Sequence, residues 1–220
     1  MKQTILRGLI VGALVTVSAV AINQGALAAQ YRVTVTNATH GQPLAPGLII
    51  THDGTFSLFE IGDAPSADLA TMAETGDPSD LAGSVAATTA DVLFGDHGGI
   101  ALPSESNDIV IDTDAEFLTA VGMLAATNDG FYAVRGVKLP ASGEITVFAS
   151  AYDAGSEENN EKSGDVPASK LGNSKDAGTD AGDGEGFIHV HNGIYGGGQL
   201  KPSVHGWRNP VVEITIEFLP

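Results

Sequence analysis

Short runs of β-branched and aromatic residues, each cut off by a turn dipeptide or a Pro/Gly connection, recur along this chain and point to antiparallel sheet. Tyr31 to Asn37 alternates with period two, tyrosine and valines on one face, arginine and threonines on the other. Leu48 to His52 stops at Asp53-Gly54, and a third short strand is expected over Phe56 to Phe59. Asp108 to Thr113 and Phe117 to Ala126 follow, the second ending at Thr127-Asn-Asp-Gly130; its Gly122 reads as a bulge in a strand rather than a break in a helix. Phe131 to Val137, Ile145 to Tyr152, Gly186 to Asn192 and Pro210 to Phe218 complete the set. Ser66 to Gly76 is the clear exception: a serine cap, an early acid, apolar residues at 69, 72 and 73 and a closing glycine predict a short helix covering the sheet. A weaker helical or irregular piece starts at Asp77 and reaches the Ala/Thr run at 86 to 90. The expected fold is all-β with minor helix, a single-domain antiparallel β-sandwich.

The first 28 residues read as a secretory signal peptide, with Lys2 and Arg7 as basic flank, an apolar stretch from Leu9 to Ile22 and Ala26-Leu-Ala28 as a small-residue cleavage site. That stretch is shorter than the roughly 20 residues a spanning helix needs, so no membrane insertion is expected after cleavage. The domain expected to remain, residues 29–220, has the size of one sandwich. The whole chain carries a net charge of −17, which disfavours nucleic acid and anionic lipid as partners. It has no cysteine, so no disulfide braces an exported fold. Periplasm, cell surface or the extracellular space is the expected location, and a bound cation is one source of the missing rigidity.

The stretch from Ile145 to Glu157 joins fold to chemistry. Its apolar strand empties into Asp153-Ala-Gly-Ser-Glu157, and the strand before it is preceded by Asp129, so two strand ends deliver carboxylates into glycine-bearing loops. Calcium takes six to eight hard oxygens from such loops. Asp129, Asp153 and Glu157 are the candidate Ca2+ ligands, with Asp53, Asp108 and Asp112 weaker additions; the competing reading is that each acid caps its own turn. Asp176-Ala-Gly-Thr-Asp180 repeats the pattern and is a rival loop. The polar run Glu157 to Glu161 is expected outside the core, as part of a long surface loop from Gly155 to Gly186.

His189 and His191 alternate with Ile188 and Val190. On a strand both imidazoles face one side, and with His205 they form an alternative transition-metal centre for copper or zinc, in metal handling or as a redox or hydrolytic metalloenzyme, or a plain polar sheet face. Phe187 and Trp207 are expected in the core. No nucleophile elbow, HExxH helix or phosphate loop is present, and Gly196-Gly-Gly198 lacks the lysine of a phosphate loop, so no enzyme chemistry is expected.

Tyr31-Arg-Val-Thr-Val-Thr-Asn37, Leu48-Ile-Ile-Thr-His-Asp53, Thr127-Asn-Asp-Gly-Phe131, Tyr152-Asp-Ala-Gly-Ser-Glu157, Glu185-Gly-Phe-Ile-His-Val-His-Asn-Gly-Ile194 and Asn209-Pro-Val-Val-Glu-Ile-Thr-Ile216 together resemble the spondin domain family in its bacterial form, from about residue 30 to 218. The resemblance implies a C2-like β-sandwich with calcium at one end, held by the acids matching Asp129, Asp153 and Glu157, and a role in extracellular binding or adhesion to a protein or glycan. Glu157 stands where the animal domains carry Asp, and their cysteines and thrombospondin-type repeats are missing. Their matrix, integrin and lipopolysaccharide partners are therefore not carried over.

Overall fold

Nine strands and three short helices build the domain in a computed structural model that describes residues 28–88, 92–93, 101–167 and 182–220. The strands are β1 Ala29–Asn37, β2 Leu44–His52, β3 Val92–Leu93, β4 Ser106–Thr113, β5 Phe117–Leu124, β6 Gly130–Lys138, β7 Glu144–Asp153, β8 His189–Val190 and β9 Val212–Leu219. All pair antiparallel, in the order β3-β2-β5-β6-β7-β9-β1-β4, with β8 added beside β7.

Strand β7 belongs to both layers. Residues 144 to 149 pair with β9, whereas 150 to 153 pair with β6 on the other side, so the strand turns the corner of the sandwich. Beyond its two-residue partner β3, strand β2 also approaches the opposite end of the sheet: Thr113 Oγ1 of the edge strand β4 lies 3.1 Å from Thr51 Oγ1 of β2, and Leu44 of β2 bridges to Ala101 ahead of β4. The result is a nearly closed all-β sandwich, as the strand pattern predicts.

Side-chain alternation decides what fills it. Tyr31, Val33, Ile111, Ile214 and Ile216 from one layer meet Ile49, Leu118, Leu124 and Tyr132 from the other. The outer face of β2, β5 and β6 is apolar too, with Leu48, Ile50, Val121, Met123 and Phe131. Helices α1 Ala67–Thr75 and α2 Ser79–Ala86 cover that face with Leu69, Met72, Leu81 and Val85. Burial on both faces explains why β2 and β5 read as near-continuous apolar runs rather than alternating ones. Helix α1 starts at Ser66, whose Oγ accepts the Leu69 N–H at 3.2 Å, and stops at Gly76 in the left-handed conformation at φ 73°.

Two strand expectations need correction. Phe56 to Phe59 forms no strand: this connection drops the Phe59 ring onto Phe131 and Tyr152, with centroids 5.2 and 5.1 Å away, and the Arg135 guanidinium lies 4.4 Å above it. Aromatic packing rather than ladder pairing fixes that segment. Gly122 is not a bulge, since it pairs regularly with Gly47 and Tyr132. The bulges fall in the neighbouring strands, within Leu44 to Gly47 of β2, where Pro46 sits, and opposite Leu118 to Ala120 in β6, where Gly136 takes φ 60°. Glycine is required at 122 because the Tyr132 ring crosses it; a Cβ there would stand 2.8 Å from ring carbon and hydroxyl. Gly122→Ala is therefore expected to cost about 1–3 kcal/mol through overpacking, read as a lower urea midpoint at constant slope.

Candidate metal centre at the end of β7

Pairing places the site. Gly130 stands opposite Asp153, so Asp129 lies beside the exit of β7, and the Ala154 N–H donates to the Asp129 carbonyl at 3.2 Å. On the other side β8 sets His189 opposite Asp153, and the His191 N–H donates to the Ala151 carbonyl at 3.1 Å. Three chain segments thus surround one carboxylate that is 1% exposed.

Asp153 is held from both oxygens. Oδ1 accepts the Gly155 N–H at 2.8 Å and Oδ2 accepts the Asn159 Nδ2–H at 2.7 Å. His189 Nε2 lies 3.7 Å from Oδ1 and 3.8 Å from Glu185 Oε2, while His191 Nε2 lies 3.9 Å from Oδ2. Asp153, Glu185 and His189 each bring one ligand atom within 4.8 Å of the others, and among the described residues they are the group of three or more that converges in this way. A cavity of about 270 Å3 opens beside them, bordered by Glu158, Asn159, His191, Asn192 and Tyr195.

The other two acids expected as ligands share the corner without joining that group. Asp129, fully buried, has Oδ2 committed to the Ser156 N–H at 2.8 Å, the Glu157 N–H at 3.1 Å and the Ser156 hydroxyl, while its Oδ1 has no hydrogen-bond partner. Burial, and then the charge of Asp153, push its carboxyl up to about 7 against the pull of those donors. Glu157 is buried, and its backbone bridges to Asp183. Asp53 caps its own turn, accepting from Thr55 N–H and hydroxyl, which holds its carboxyl below the usual range. Asp108 and Asp112 lie along β4, away from this corner. His205 accepts the Lys201 N–H within helix α3 Pro202–His205 and is outside the convergent set. The rival loop Asp176 to Asp180 lies outside the described residues.

The histidines differ in surroundings. Burial works against the charged form of His189, but the Val190 carbonyl, Asp153 and Glu185 outweigh it and raise its pKa. At His191 burial dominates the attraction of Asp153 and the pKa falls; the ring packs edge-on against Trp207 at 4.9 Å. Trp207 is partly buried at the margin of the cores, and Phe187, expected inside, is 43% exposed next to His189.

Of the run from Glu157 to Glu161, expected on the surface, Glu158 is exposed as expected, but Glu157 and Glu161 at its two ends are folded inward. Glu161, 3% exposed at φ 53°, accepts the backbone N–H groups of Tyr195, Gly196 and Gly197 at 2.6 to 2.7 Å. Its N–H donates to Asn128 Oδ1, and its carbonyl accepts from Gln199 and Leu200. The three-glycine loop serves as an anion nest for the chain's own carboxylate. A Cβ on Gly198 would sit 2.2 Å from the Glu161 carbonyl oxygen, so this approach needs glycine. Polarity alone suggests solvent; an internal set of donors reverses that placement.

Glu185 and Glu161 are the site-building residues that the sequence reading leaves out. Glu185 precedes His189 by four positions, but Gly186 at φ 80° bends the chain between them, so strand parity does not place it and only the folded chain brings it beside His189.

Two outcomes follow from this geometry. A carboxyl whose folded pKa exceeds its unfolded value binds more protons when folded, so in chelator-treated protein Asp129 makes stability fall as pH rises from about 4 to about 7. Asp129→Asn flattens that slope in urea titrations across the window. Glu161→Ala strands three N–H donors and is expected to cost about 3 kcal/mol or more, with new proteolytic cleavage within 157–167 under native conditions. No protein-family model matches the chain, and no curated protein matches it.

Proposed function

We propose that the chain is an exported, non-enzymatic binding module whose end loops are fixed by a divalent cation at the Asp153 corner. The convergence of Asp153, Glu185 and His189 on one point carries this reading. Two carboxylates and an imidazole suit Zn2+, a borderline ion, or a mixed-ligand ion such as Mn2+ better than Ca2+, which prefers oxygen throughout. Burying Asp153 next to Asp129 costs free energy that a cation would offset. Phe187, packed beside His189, and Tyr195, on the cavity border, are exposed at the site, an apolar rim suited to contact with an extracellular protein or glycan. Secretion and adhesion follow the signal-like leader and the spondin resemblance.

Calcium on Asp129, Asp153 and Glu157 is the second reading. The unpartnered Asp129 Oδ1 favours it, because a buried carboxylate oxygen with no donor is a natural cation ligand. Metal content of protein purified without chelator, followed by melting curves of the stripped protein with each ion, separates the two. Saturation at 100 times Kd adds about 2.7 kcal/mol, or roughly 5–10 °C for a chain of this size. A rise with Zn2+ or Mn2+ that disappears in His189→Ala supports the first reading. A rise with Ca2+ that survives His189→Ala and disappears in Asp129→Asn supports the second, and no response to any ion defeats both.

A further inference from the structure

The two histidines of the His-x-His are held in opposite tautomers by their backbone neighbours. His189 Nδ1 faces the Val190 carbonyl at 3.0 Å. A carbonyl only accepts, so Nδ1 carries the proton and Nε2 presents its lone pair to Asp153 Oδ1 and Glu185 Oε2. At His191 the partner is the Gly193 N–H, which donates to Nδ1 at 3.0 Å. There Nδ1 is the acceptor, and the neutral ring carries its proton on Nε2. That atom is buried with no hydrogen-bond partner, in a side chain 4% exposed, and it faces Asp153 Oδ2 at 3.9 Å. Ligation through it would require moving that proton to Nδ1, which gives up the Gly193 bond, or removing it to leave an imidazolate.

We infer that the metal centre is built from one imidazole and two carboxylates, with His191 as a positioning residue for Asp153 and an open coordination position facing the cavity, where a small oxygen donor of the carboxylate class binds. The inference rests on the transition-metal reading above. Three protein ligands leave a borderline ion short of its usual coordination number. The adjoining cavity of about 270 Å3 has room for a small carboxylate, and Asn192 on its border offers an amide to meet one. Asp153 Oδ2, already bound by Asn159, is the oxygen that His191 faces, so the proton on Nε2 steers Oδ1 toward the ion.

Cobalt(II) loaded into the purified chain tests this by visible absorption and by X-ray absorption counting of imidazoles. One imidazole per cobalt is expected, with acetate shifting the visible bands. His189→Ala should weaken binding roughly 100-fold or more, and His191→Phe about 10–100-fold with the bands unmoved. His191→Gln, whose amide N–H reaches the place of Nε2–H, should restore most of the affinity. Two imidazoles per cobalt, bands that move in His191→Phe, or bands indifferent to acetate would each overturn the inference while leaving the metal centre standing. Failure of the unmutated chain to bind cobalt would overturn the transition-metal reading itself, and this inference with it.

Discussion

A carboxylate withdrawn from water at the end of a strand shared by both layers is the constraint around which one end of this domain is arranged. Desolvating a charge costs several kcal/mol unless hydrogen bonds or an opposite charge compensate. Asp153 receives an N–H from its own turn, an amide from Asn159 and two imidazoles at ion-pair range. These partners arrive on two pieces of chain, the turn after β7 and the segment around β8, so satisfying one side chain fixes the course of both.

Glu161 repeats that logic a few residues later. It gathers the three consecutive N–H groups of the 195–197 loop, while Asn128 holds its backbone to the segment that leads into β6. The small cluster of Val166, Ile194 and Leu200, packed against Trp207, gives the same loops a modest apolar anchor. The convergent group of Asp153, Glu185 and His189 and a carboxylate staple thus stand side by side, the first organised around Asp153 and the second closed by protein donors alone.

Most of the fold was legible in the chain. Period-two alternation in Tyr31 to Asn37, turn residues after each apolar run and the capped helix at Ser66 are local signals, set by steric and hydrogen-bonding preferences within a few residues. The misreadings share one cause. Phe56 to Phe59 has strand composition, but its aromatic ring is captured by Phe131, Tyr152 and Arg135 from distant strands. Gly122 looks like an irregularity until the Tyr132 ring is seen lying across it.

For the site, sequence by itself determined that β7 would empty into an acidic, glycine-bearing turn and that two histidines would stand two residues apart. Both follow from residue identity and local backbone geometry. Only the tertiary structure decided which of these groups meet. Antiparallel pairing of β7 with both β6 and β8 put His189 opposite Asp153, brought Glu185 within reach and set Asp129 beside Asp153 without joining the convergent three. It also turned Glu157 and Glu161 inward, because burial of a charge depends on donors supplied from residues far away in the chain, which no local pattern encodes.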